Sequence, residues 1–316
     1  MSNKKKILVC GATGFIGRNV AETLSKRTDF ELYGTYFQSP PYKNEQIKLM
    51  YADLTNRIDV ERVVEDKDAI VQMAANTSGA GKTTTVPYIH VTDNAIMNSL
   101  LLRSVFENRV KHFIFPSSCT VYPSSNNLMK ETDKIKINPI YYGSANTKLY
   151  IERMCKFFSR QGITKHTVLR QSNIYGPHDK FDLERSHVFG ATLTKVMRTK
   201  EGDSIKVWGT GEEKRDLLYV SDLVKLIESV IDKQDSLFEL FNVGSSSYIS
   251  VGELVERIIK SSGKKLKIEY DPSKPTIKIN IALDATKAKN FFNWSPKVSL
   301  EDGIKDTIEW YKANIL

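Results

Sequence analysis

The most constraining stretch of this chain is Gly11-Ala-Thr-Gly-Phe-Ile-Gly17, which joins the apolar run Ile7-Leu-Val-Cys10 directly to an amphipathic segment starting at Gly14. Each glycine has its own steric reason. A tight strand-to-helix turn needs a residue without Cβ, a phosphate must approach bare backbone, and the helix must lie close on the strand. The helix N-terminus then offers free N–H groups and a partial positive charge. An ordinary turn can carry the same glycines, but placement after the first strand of a βαβ unit favours a dinucleotide. Gly11, Thr13, Gly14, Phe15, Ile16 and Gly17 are the expected cofactor contacts.

Downstream, apolar runs alternate with amphipathic segments, the rhythm of a mostly parallel sheet covered by helices. Strands are expected at Lys6–Cys10, Glu31–Thr35, Ile47–Tyr51, Ala69–Met73, His112–Pro116 and Thr167–Arg170, and helices at Gly14–Ser25, Arg57–Val64, Asn94–Asn108 and Ser144–Gln161. After Asn173-Ile-Tyr-Gly-Pro177 and a charged loop, Asp179–Arg185, the pattern loosens into helix Val188–Arg198, strand Ser204–Trp208, a Gly209-Thr-Gly211 turn, helix Ser221–Ile231 and strand Glu239–Val243. The tail carries helices near Val251–Ser261 and Leu300–Asn314 and a Pro-punctuated loop, Asp271–Pro275. The expected fold is α/β: a Rossmann-type doubly wound parallel sheet with a smaller C-terminal α/β substrate domain. Residues 1–175 plus about 212–245 form the dinucleotide unit, and 176–211 plus 246–316 the smaller one.

Composition narrows the class. No apolar run approaches the ~20 residues that cross a bilayer, and Ile7–Cys10 is too short for a signal-peptide core, so a cytoplasmic chain without membrane contact is expected. Cys10, Cys119 and Cys155 have no metal-like spacing and suit a reducing compartment. The net charge of +9 comes from dispersed lysines without aromatic interleaving, which argues for a solvated surface or attraction of a phosphorylated ligand rather than nucleic acid. The histidines show no metal-ligand spacing.

Asp53, after the third strand, is placed either to meet an adenine amino group or to N-cap the helix that follows, Thr55–Val64. The end of the second strand, where an acid selects NAD and a base NADP, reads Gly34-Thr-Tyr-Phe-Gln-Ser39 with neither. Lys43 and Arg18 are the nearest cations. The absence of a well-placed arginine favours NAD(H) and leaves NADP(H) open.

The ordered set Gly11–Gly17, Asp53-Leu54, Met73-Ala-Ala75, Asn94, Ser117-Ser-Cys-Thr-Val-Tyr122, Lys148-Leu-Tyr-Ile-Glu152, Leu169–Pro177 and Arg215–Asp222 resembles the extended short-chain dehydrogenase/reductase family of nucleotide-sugar epimerases, dehydratases and reductases. Asn173–Phe181, Ser186-His-Val188 and Val207–Gly211 are most similar to its GDP-fucose synthase branch. The resemblance implies a GDP-linked deoxyhexose or heptose substrate for surface polysaccharide synthesis. It implies hydride transfer at C4, with proton exchange at C3/C5 in epimerising members, and a homodimer or tetramer. It adds Leu54, Ala74, Ala75, Asn94, Ser117 and Gln171 to the cofactor contacts, and Asn173, Val188, Lys195, Val207 and Arg215 to the substrate contacts. Helices Asn94–Asn108 and Ser144–Gln161 are the expected pairing surface across a two-fold axis.

Catalysis in the family uses a tyrosine as acid/base, a lysine one turn later that lowers its pKa and holds the nicotinamide ribose, and a serine sharing the hydroxyl. Ser118 fits the serine, with Ser117 beside it; a capping role is the alternative for either. The chain departs from Tyr-x-x-x-Lys: Lys148 has Ser144 four residues before it, and Tyr142 has Asn146 four residues after it. Six residues of helix put Tyr142 and Lys148 about 120° apart. Either Tyr142 sits in the entering turn and still meets Lys148, the favoured arrangement, or Asn146 replaces the lysine, or the tyrosine role is lost; Tyr141 is a lesser substitute. Cys119 and His187 match the acid/base pair of the epimerising branch, against a bland reading as buried core residues. Arg215 suits a diphosphate, with a salt bridge to Asp216 or Asp222 as its alternative. A ketoreductase or C4 dehydrogenase without epimerisation, and a non-catalytic dinucleotide sensor, remain as competing functions.

Overall fold

The computed structural model describes residues 4–77, 87–183, 186–274 and 276–316. Met1–Asn3 of the basic N-terminus, Glu184 and Arg185 of the charged loop and Pro275 of the Pro-punctuated loop lie outside the described residues.

A seven-stranded, all-parallel sheet organises the larger part of the chain. It contains β1 (Lys5–Cys10), β2 (Phe30–Tyr36), β3 (Ile47–Tyr51), β4 (Ala69–Gln72), β5 (His112–Ser118), β6 (Lys165–Gln171) and the edge strand Phe238–Val243. From that edge the order runs through β6, β5, β4, β1 and β2 to β3. Successive residues of β1 divide between two cores. Ile7 and Val9 join α1 (Phe15–Leu24) and the helix Val220–Lys233 on one face. Leu8 and Cys10 join α2 (Arg57–Val64), α3 (Thr92–Glu107) and α4 (Tyr142–Ser159) on the other. Burial on both faces explains why the strands read as continuous apolar runs. The strand order reverses between β1 and β4, which opens a crevice at their C-terminal ends, where open α/β sheets bind ligands.

A second core unites α5 (Val188–Arg198), β7 (Ser204–Trp208) and helices Val251–Ser262 and Leu300–Asn314 through Leu193, Val207, Leu254, Ile258 and Ile308. Strand Lys267–Asp271 pairs in parallel with β7. Its mostly exposed residues carry no readable alternation, so it was invisible in the pattern. The tail does not stay with this second core. Ile279, Ile281 and Leu283 pack against Cys119, Tyr122 and Leu149, and Ala288, Phe292 and Trp294 join the first face of the large sheet. Asn56, not Asp53, caps α2, accepting from Ile58 N at 2.9 Å and Asp59 N at 3.3 Å. Asp53 instead closes its own turn on Thr55, accepting from its amide at 2.9 Å and its hydroxyl at 2.7 Å.

Candidate active site

The glycine turn fits a pyrophosphate. Gly11 has φ +71°, and a Cβ on it would come within 2.7 Å of the Ala74 backbone at the end of β4. A Cβ on Gly17 would lie 2.1 Å from the Gly11 carbonyl oxygen, so only glycine lets α1 sit this close to β1. Gly14 is exposed, and the space around its Cβ position is open but for the Gly11 carbonyl at 3.4 Å. No side chain caps the helix that begins there, leaving its first N–H groups directed at the crevice. Thr35 fixes the turn from β2: its hydroxyl accepts from Gly11 N at 2.9 Å.

At the ends of β2 and β3, Phe37 and Tyr51 form an exposed aromatic ledge with ring centroids 5.8 Å apart. Arg18 is already engaged, bonded to Glu22 at 2.8 Å and lying 4.2 Å over the Tyr42 ring. Leu54 is core rather than surface. Asn94 is buried and spent on scaffolding: its amide nitrogen donates to the Asn76 and His90 carbonyls at 3.0 Å and its oxygen accepts from Asn76 N at 2.9 Å. It therefore shapes the loop that carries Ala74 and Ala75.

The ends of β5 and β6 continue the crevice. Ser118 closes β5 and caps the short turn Cys119–Val121, its hydroxyl accepting from Thr120 N at 3.2 Å. Ser117 instead points inward and donates to Glu152, which holds Arg170 in a buried bidentate pair at 2.7 and 3.0 Å. Arg170 also donates to the Tyr122 hydroxyl at 2.8 Å, and that hydroxyl donates to Asn242 at 2.9 Å. This polar chain beneath the site escaped the sequence reading, although Glu152 stands one helical turn after Lys148. Gln171 ends β6 with its side-chain oxygen buried and without a partner, a group suited to a ligand amide or hydroxyl.

Lys148 donates to the Pro116 carbonyl at 2.7 Å. Desolvation draws its pKa down to about 8 against the opposing charge of Glu152. Tyr142 does not meet it. As the first residue of α4 it is 69% exposed, on a different face of the helix from the lysine. Asn146 is no substitute for the lysine either: it is exposed and donates back to the Tyr142 carbonyl at 2.7 Å. Tyr141, in contrast, packs against the cluster containing Cys119, Ala145 and Leu149.

Cys119 packs in the cluster with Val121, Tyr122 and Leu149. Burial pushes the Cys119 thiol up to about 12, with Asp216 adding to the rise and Arg215 opposing it, so the group is a neutral thiol at physiological pH. His187 lies exposed at the N-cap of α5. Arg215 does not form the alternative salt bridge to Asp216 or Asp222. Its guanidinium donates to the carbonyls of Lys214 (2.8 Å), Ile279 (2.7 Å) and Ile277 (3.0 Å). Asp216 accepts from Ser245 and Leu283 amides, and Asp222 from those of Lys297 and Val298.

A family model described as "NAD dependent epimerase/dehydratase family" matches residues 7–244. The chain belongs to this family. Over 324 residues it is 28% identical to a putative GDP-L-fucose synthase 2 of Arabidopsis thaliana, covering 100% of this chain and 94% of that protein. A GDP-L-colitose synthase of Yersinia pseudotuberculosis is 28% identical, with 97% of each chain covered. Among solved structures, a UDP-glucose 4-epimerase of Thermotoga maritima, determined with UDP-glucose, superposes with a TM-score of 0.86 at 26% identity, over 98% of this chain and 100% of that one.

In this epimerase/dehydratase chain the second core borders a groove of about 370 Å³ lined by Leu183, Lys195, Arg198, Lys206 and Trp208 among others. Lys195 lies there, donating to the Lys206 carbonyl at 3.1 Å and standing 5.5 Å from the Trp208 ring centroid. Val207 does not: strand alternation turns it into the core and sends Lys206 and Trp208 outward. Val188 packs on the same core rather than lining the groove. Asn173 donates to the Asp216 carbonyl at 3.1 Å through its side-chain amide. Among the described residues no cluster suited to a metal ion occurs, and no helix is long and apolar enough to cross a membrane.

Proposed function

We propose that this chain is an NAD(H)-dependent oxidoreductase/epimerase acting at C4 of a GDP-linked sugar. The observation that carries the reading is the open glycine cradle at the end of β1; Ser118 closes β5, Lys148 is bonded to the Pro116 carbonyl of that strand, and the charge of Arg215 acts on Cys119 just beyond it. The cofactor supplies the hydride acceptor or donor. Gly11–Gly17 hold its phosphates, Ala74 and Ala75 flank it, and Lys148 holds the nicotinamide ribose. NAD(H) is preferred because the position after β2 carries Phe37 and because Arg18 is committed to Glu22. Ser118 binds the reacting sugar oxygen. Arg215, with donors to spare beyond its three carbonyl bonds, takes the diphosphate. The groove by Lys195 and Trp208 takes the nucleoside, and Asn173 the sugar or first phosphate. The GDP-linked names of the sequence relatives support the choice of base.

The neutral thiol of Cys119 favours reaction at C4 without C3/C5 epimerisation as the second reading. Residues 1–175 and 212–245 form the dinucleotide unit in this proposal, joined by the tail segment 277–294 that packs on it. Helices α3 and α4, which expose Ile96, Tyr150 and Phe157, pair with a second copy.

The test uses purified full-length protein, titrated with NAD(H) and NADP(H), then offered a GDP-linked 4-keto-6-deoxy sugar and UDP-glucose, with mass measured by light scattering. NAD(H) binding, turnover of the GDP sugar and a dimer mass are expected. Binding of neither cofactor, or turnover of UDP-glucose alone, would overturn the corresponding part of the reading.

A further inference from the structure

We propose that Tyr141, and not Tyr142, is the phenol that exchanges a proton with the reacting sugar oxygen. The inference rests on the oxidoreductase reading above and assigns the one role that the altered tyrosine–lysine spacing leaves vacant.

The local backbone decides which of the two adjacent rings enters the site. A short turn, Pro139–Tyr141, is capped by Asn138, whose side chain accepts from Ile140 N at 3.1 Å, and it runs straight into α4. Tyr141 is the residue that precedes the helix and Tyr142 the first one in it. At 100° per residue, position 142 falls about 120° from the direction of Lys148, whereas Tyr141 ends the preceding turn and is not bound to the helical phase. The packing agrees with this angle. Tyr141 is partly buried and packs on the cluster to which Cys119, Ala145 and Leu149 belong, whereas Tyr142 is 69% exposed. Ser144, one turn before Lys148 where a phenol would be expected, carries no phenol and donates to the Tyr141 carbonyl at 3.3 Å.

Arg215 supplies the charge that this arrangement needs. Its guanidinium is fixed by the carbonyls of Ile277 and Ile279, and both of those residues pack in the cluster that holds the Tyr141 ring. Burial raises the pKa of Tyr141 and the positive charge of Arg215 opposes the rise. The phenol stands three residues farther from Lys148 than a Tyr-x-x-x-Lys pair allows, about 4.5 Å along the helix axis. Support for the phenolate therefore shifts from the lysine to the arginine, and Lys148 is left to the ribose. In the reducing direction the ketone carbon gains a hydride from the reduced nicotinamide. Its oxygen takes the phenolic proton of Tyr141, C=O becomes CH–OH, and the phenolate is reprotonated from solvent. Oxidation runs the same transfers backwards.

Tyr141→Phe and Tyr142→Phe are compared in the full-length protein, each checked for native thermal unfolding. NAD affinity, calorimetric binding of the GDP-linked 4-keto-6-deoxy sugar and turnover are measured. Tyr141→Phe is expected to lower kcat by about 10²–10⁴-fold and to weaken sugar-nucleotide binding by about fivefold through the lost hydrogen bond, with NAD affinity within about twofold. Tyr142→Phe is expected to keep kcat and binding within about threefold. A kcat loss of about 100-fold in Tyr142→Phe, or a Tyr141→Phe enzyme retaining more than about a third of its turnover, overturns the assignment alone. Wild-type protein that binds no nucleotide sugar overturns the functional reading and the assignment with it.

Discussion

Lys148 shows how one desolvated charge sets a working pH. Its ammonium is held against Pro116 in a protein setting that brings its pKa to about 8, so the cation is fully present below that value and is lost above it. If the cation holds the ribose, kcat/KM falls as pH rises through about 8. Lys148→Arg, which stays charged throughout the range, should move that limb upward even though it lowers the maximum rate. The measurement is the pH profile of both proteins; a limb that stays in place in the arginine variant would sink the idea. Residue identities of this kind were readable before any geometry existed. Which of two neighbouring side chains turns inward was not: Ser117 against Ser118 and Val207 against Trp208 depend on strand phase, and Tyr141 against Tyr142 on where one helix begins.

At the scale of elements, the strand–turn–helix at the N-terminus is the tightest joint in the fold. A methyl group at Gly17 collides with the Gly11 carbonyl at 2.1 Å, a backbone atom that cannot rotate away. Gly17→Ala should push α1 off β1, cost about 1–3 kcal/mol of stability and weaken cofactor binding at least about tenfold, since the displaced N–H groups no longer converge on the phosphates. Urea unfolding and a cofactor titration check both; unchanged affinity would argue that the helix terminus is not the phosphate site. The major elements were legible because period 2 and period 3.6 survive burial: Ile47–Tyr51, Arg57–Val64, Val188–Arg198 and Leu300–Asn314 fall at the residues expected. The two-residue strands Lys214–Arg215 and Ile249–Ser250 are too short to carry a period, and Asn56 rather than Asp53 wins the cap because the helix starts two residues later than the acid's position implied.

Across the whole molecule, buried histidines set the acid limit of stability. Desolvation draws the pKa of His112 to about 3 and of His166, lodged near Phe113 and Phe158, to about 4. Both lie below the unfolded value of about 6.5, so the unfolded chain binds protons that the folded one refuses. Stability is complete above that unfolded value and declines as pH falls from there towards 4, by up to about 1.4 kcal/mol per pH unit for each group. Urea unfolding at pH 7 and pH 5 should show a smaller decline in His166→Phe; an equal decline would place the acid sensitivity elsewhere. One further consequence concerns the order in which the chain leaves the ribosome. The edge strand that finishes the large sheet ends at Val243, so that sheet has all its strands by then. Residues 277–283 come later. These lace onto Ser125 and Met129 by backbone bonds of 2.8 and 2.9 Å, anchor Arg215, and satisfy Asp216 through Leu283 N at 3.0 Å. During synthesis the nascent protein can therefore complete its large sheet and glycine turn before Arg215 has the carbonyls that fix it.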